Sequence, residues 1–237
     1  MNLQLAIENL YKTFSKYTTE GIEYCDCGCI SEEDVKKLNS KSLRKLKSED
    51  LISYHGSALY TWGDIEHYKH YLPRICELIS VERDFSFVDF DELYTKLDYA
   101  KWTKWPQEEQ QAIYNYVIAD WNEFTKNRFS EIRDIDIESY GKFLGIETIL
   151  SHWNIIETDE SLRNFVYFFY MYGNQIFTGK LRVLDKKQKE EFLKWIEVEK
   201  LVKKLENAFF INESKDSEYS SKISIVLQMI EQNRKLR

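Results

Sequence analysis

The chain has 237 residues, 15% of them aromatic, with only 8 Gly and 2 Pro and a formal net charge of −7. That length can bury a substantial core, the aromatic content excludes a disordered chain, and the scarcity of turn residues argues against an all-β fold. An acidic protein repels a phosphate backbone, so no nucleic-acid partner is expected, and runs such as Lys200 to Lys204 read as a helix face paired with Glu197, Glu199 and Glu206.

From the N-terminus, Leu3, Ile7, Leu10, Phe14 and Tyr17 recur at helical spacing. The opening residues have neither a basic start nor an apolar core, so no secretory signal is expected. The longest apolar-aromatic run, from Phe165 to Tyr172, is too short to cross a bilayer, and no membrane association is expected. Four cysteines, three of them within five residues, do not resemble a secreted disulfide framework; a reduced, cytoplasmic setting is the expectation.

Ser31 followed by Glu32, Glu33 and Asp34 marks a helix start, because a serine hydroxyl and early acids satisfy the exposed amides and favour the dipole. A short helix is predicted from Ser42 to Leu46, another after Ser48-Glu49-Asp50, and a third restarting at Gly63-Asp64. Pro73 falls inside that third run, and its missing amide predicts a kink or a break with a new helix beginning there. A loop carrying Phe85, Phe87 and Phe90 leads to a helix with Leu93, Tyr94 and Leu97, and Trp105-Pro106 opens a helix of about five turns. Further helices are predicted over 137–144, 146–153, 162–172, 186–210 and 219–235, with an exposed loop from Asn212 to Ser221. No stretch alternates with period two. The fold expected is all-α, as stacked helix pairs, solenoid-like or an irregular multi-helix bundle, in one domain spanning 1–237 with a candidate subdivision near 133.

The densest chemistry is the turn Cys25-Asp26-Cys27-Gly28-Cys29. An extended segment would place all three sulfurs on one side. Zinc takes thiolates and imidazoles tetrahedrally, and a structural site needs four ligands. Candidate metal ligands are therefore Cys25, Cys27 and Cys29 with His67 and His70, which share a helix face; His55 and Cys76 are further candidates. Two other readings stand beside zinc. The thiols are a redox group, or they are small, partly buried residues in a tight loop with ordinary helix histidines nearby.

The order of this cysteine turn, Thr61-Trp62-Gly63-Asp64, His70-Tyr71-Leu72-Pro73-Arg74 and Glu77-Leu78 resembles an uncharacterised family of bacterial proteins, over roughly residues 10 to 80. The resemblance implies a bacterial origin and shared importance of these residues, without a reaction or a partner. Serine hydrolysis has no support, since no nucleophile elbow is present. The aromatic run Phe165, Tyr167, Phe168, Phe169, Tyr170 and Tyr172 reads as a buried central helix rather than a pocket. The function expected is a non-enzymatic module that binds another protein, in its most concrete form an immunity-like protein neutralising a basic toxin. A zinc-binding structural protein and a thiol redox protein are the alternatives.

Overall fold

A computed structural model describes residues 2–26, 28–82, 90–127, 131–180 and 184–235. The fold is all-α, with twelve α-helices and two short 3-10 turns among the described residues. Extended pairing there is confined to isolated bridges, Tyr24 with Trp62 and Ala58 with Trp62. No helix among them is long and apolar enough to cross a membrane. The chain forms two compact units, Met1–Asp120 and Trp121–Arg237.

In the first unit, α1 (Leu3–Phe14) packs on α4 (Ile65–Glu82), and α2 (Glu32–Asn39) packs on α3 (Ser48–Ser57). α1 buries Ala6, Ile7, Leu10, Tyr11 and Phe14, one stripe at helical spacing. α2 begins with a capping box in which Ser31 and Asp34 satisfy each other's amides. α5 (Phe90–Tyr99) and the start of α6 (Gln107–Lys126) complete the unit. Phe85 and Phe87 lie outside the described residues.

α4 does not break at its proline. It runs continuously through Pro73, buries Tyr71, Leu72, Ile75 and Cys76 around it, and ends at Glu82. The next residue contributes two clamps. Arg74 Nε donates to Leu46 O at 2.7 Å, and its Nη1 meets Glu77 Oε2 at 2.6 Å. Burial on this scale outweighs the one backbone bond that proline removes.

In the second unit, α7 (Asp134–Leu144) packs on α8 (Ile146–His152), and α10 (Lys186–Ile196) also meets α8. α12 (Ser217–Lys235) lies against both α9 (Asp159–Phe177) and α11 (Glu199–Asn212). Phe165, Phe168 and Phe169 of α9 are buried, and Trp153 stacks edge-on against Phe165 and Phe168 with centroids 6.0 and 5.7 Å apart. The helix expected over 186–210 is two helices, separated at Glu197 and Val198. No glycine or proline signals that break; Asn233 Nδ2 reaches Glu197 Oε1 at 3.1 Å and Arg234 holds the Glu197 carbonyl, so tertiary partners replace the helical ones. The loop expected from Asn212 to Ser221 shrinks to the short turn between α11 and α12, because Asp216 accepts the Tyr219 amide and starts α12 early.

Candidate functional site

The loop joining α1 to α2 carries the cysteine turn, and it is tied down at several points by α4 and the turn before it. Cys25 N–H donates to Thr61 O at 2.9 Å, and Gly63 N–H donates to Glu23 O at 2.8 Å. These two bonds form the Tyr24–Trp62 bridge. Gly63 sits at φ +66, and a Cβ there would lie 3.0 Å from His67 Cβ and 3.3 Å from Ile22 Cγ1. Both the backbone region and the space call for glycine. Trp62 is buried, with the Tyr54 ring 5.4 Å away and the Tyr24 ring 6.1 Å away.

Asp64 then starts α4, its Oδ1 accepting the amides of Glu66 at 2.9 Å and His67 at 3.1 Å. The first turns of α4 present His67, Lys69 and His70 to the loop. His67 Nε2 donates to Glu20 O at 3.0 Å, while its Nδ1 accepts the Asp64 amide at 3.2 Å. The same Nδ1 lies 2.9 Å from Asp64 Oδ1, so the ring is held between the loop carbonyl and the residue that starts α4. His70 Nδ1 donates to Tyr17 O at 2.8 Å.

Beneath the loop lies a buried ion cluster that the sequence did not signal. Lys69 Nζ meets Glu109 Oε2 at 2.7 Å and Tyr17 OH at 3.0 Å, and Tyr17 OH donates to Glu109 Oε1 at 2.7 Å. Lys16 Nζ reaches the same carboxylate at 2.9 Å. Lys69 also lies 4.2 Å from the Trp105 ring centroid. Burial alone would raise the Glu109 carboxyl, but the bonds from Lys69, Lys16 and Tyr17 together hold it below the ordinary carboxylate range. Residue spacing gives no hint of this cluster, because Tyr17 and Glu109 are 92 positions apart.

The proposed ligands separate into different settings. Cys25 and His67 line one concavity, His70 lines another beside Tyr11 and Pro73, and Cys29 is exposed. Cys27 lies outside the described residues. Cys76 is buried in α4, where burial pushes its thiol well up. His55 is buried against the Tyr68 ring, and burial pulls its pKa down to about 3. Among the described residues no group of three or more His, Cys, Asp or Glu side chains is placed to hold a metal ion.

The concavity shared by Cys25 and His67 has a volume of about 520 Å³, and its lining also includes Tyr24, Tyr60, Glu23 and Asp64. Tyr60 leads out of it to Tyr99, the two rings edge-on with centroids 4.8 Å apart. Tyr24, Tyr60 and Tyr99 are 41%, 52% and 57% exposed, far above the burial of tyrosines elsewhere in this unit such as Tyr54 and Tyr68. Tyr60 is held from within: the buried Lys96 lies 3.8 Å from its ring centroid. Lys96 Nζ donates to Gly56 O at 2.9 Å and Ala58 O at 2.8 Å, closing the end of α3. Compared with known protein families, curated proteins and solved structures, the chain matches none.

Proposed function

We propose that this chain is a non-enzymatic module that binds another protein through the tyrosine face of its first unit. The observation that carries the reading is three exposed tyrosines in sequence across the surface: Tyr24 and Tyr60 line one concavity, and Tyr99 packs edge-on against Tyr60. Tyrosine supplies large, rigid contact area at small entropic cost and is enriched where binding energy concentrates. The side chains that would suit chemistry have other occupations in the fold. His67 and His70 hold loop carbonyls, and Lys69 and Glu109 hold each other.

The net charge of −7 favours a basic partner and faster association with it. An immunity-like role, neutralising a basic toxin, is the most concrete form of this reading. The test is affinity capture from the native cell at physiological salt. The wild-type chain is expected to retain a species that Tyr60→Ala with Tyr99→Ala releases, while a control change at exposed Leu5 on α1 keeps it. Retaining nothing, or retaining it equally without the tyrosines, overturns the reading.

A further inference from the structure

The concavity between Tyr24 and Tyr60 combines two features that together specify a charge. Aromatic faces attract cations through their quadrupole, and carboxylates in the lining supply the counter-charge. Glu23 and Asp64 are both exposed beside it, and none of its lining residues is lysine or arginine. The bonds to Asp64 from the amides of Glu66 and His67 and from His67 Nδ1 all fall on Oδ1, and the side chain is 67% exposed. Both ring nitrogens of His67 are engaged, Nε2 with Glu20 O at 3.0 Å and Nδ1 with Asp64 Oδ1 at 2.9 Å. The volume, about 520 Å³, is within the range of small-ligand sites and exceeds what one long side chain requires.

Building on the interaction reading above, we infer that this concavity receives the guanidinium of an arginine side chain of the partner, against Tyr24 and between the carboxylates of Glu23 and Asp64. Arginine is favoured over lysine because its planar, weakly hydrated group both lies flat on a ring and forks onto a carboxylate. Tyr24 is the principal ring, since Lys96 already covers one face of Tyr60. Asp64 therefore has two roles, capping α4 with one oxygen and receiving the ligand with the other.

The experiment uses the whole chain and N-acetyl-arginine methylamide as the probe, followed by NMR of the tyrosine ring protons. Citrulline methylamide, of nearly the same shape and neutral, is the comparison. Saturable shifts of Tyr24 with the arginine probe are expected, at least about tenfold weaker with citrulline. Glu23→Gln with Asp64→Asn should weaken the arginine probe about tenfold as well, and asparagine retains the helix cap, so folding is preserved. Equal response to both probes, no saturable response, or no effect of the double variant overturns the inference. Those outcomes leave the capture experiment with Tyr60 and Tyr99 untouched, so the two readings fail separately.

Discussion

Lys69→Met is the most informative single change in the first unit. It keeps the side-chain volume and removes the cation that faces a fully buried carboxylate, Glu109, at 2.7 Å. Removing one partner of a buried pair leaves an uncompensated charge and typically costs about 3–5 kcal/mol. Lys16 still reaches Glu109 at 2.9 Å, but that lysine is half in solvent, so the lower end applies, about 3 kcal/mol. At roughly 2–4 °C per kcal/mol for a chain of this length, melting should fall by about 6–12 °C.

The double change Lys69→Met with Glu109→Leu removes both charges and should recover most of that loss, giving a coupling energy above about 1.5 kcal/mol. Urea unfolding of the four proteins of this cycle is the assay. A single-variant loss under about 1 kcal/mol, or a double variant whose loss is the sum of the singles, would refute the account of a buried, mutually dependent pair. The same carboxylate gives a pH signature. Its folded pKa is depressed, so its stabilisation is complete above the ordinary value of 4.5 and is lost as pH falls from there through the folded value. Glu109→Gln should flatten that acid limb.

Gly63→Ala should destabilise the unit by about 1–2 kcal/mol in thermal unfolding, because φ +66 disfavours a Cβ and His67 stands 3.0 Å from where it would sit. Burial pulls the Lys96 ammonium down to about 8 from its ordinary 10.5, so stability should rise as pH increases between those values, and Lys96→Met should remove that rise. An NMR titration of the Lys96 Nζ with a midpoint above 10 would contradict it. Tyr11→Phe deletes a 2.6 Å bond to Glu77 Oε2, the carboxylate that also holds Arg74, and should cost about 1.5 kcal/mol in denaturant unfolding.

Much of the local structure was legible because its causes are local. Ser31 and Asp34 form their capping box from neighbours in the chain, and the α1 stripe follows from spacing alone. That α4 continues past Pro73 was not legible, because the proline penalty is a property of the isolated helix, while the compensation comes from burial around it and from Arg74 gripping Leu46, 28 positions away. The break at Glu197 was invisible for the same reason, since its partners Asn233 and Arg234 lie at the far end of the chain. At the candidate site, the pairing of His67 and His70 on one helix was readable, as was the oddity of the cysteine turn. What the two rings hold was not, because a carbonyl acceptor such as Glu20 O or Tyr17 O leaves no mark on residue type.

By itself, then, the amino-acid order determined the all-α class, most helix starts and the acidic character, all of which depend on neighbours or on sums over the chain. Tertiary structure alone decided that Lys69 and Glu109 meet in the core. It also decided that three of the sixteen tyrosines stand together at a surface while Tyr54 and Tyr68 are buried. Burial and charge pairing are properties of the packed chain, and residue type sets only the stakes of each outcome.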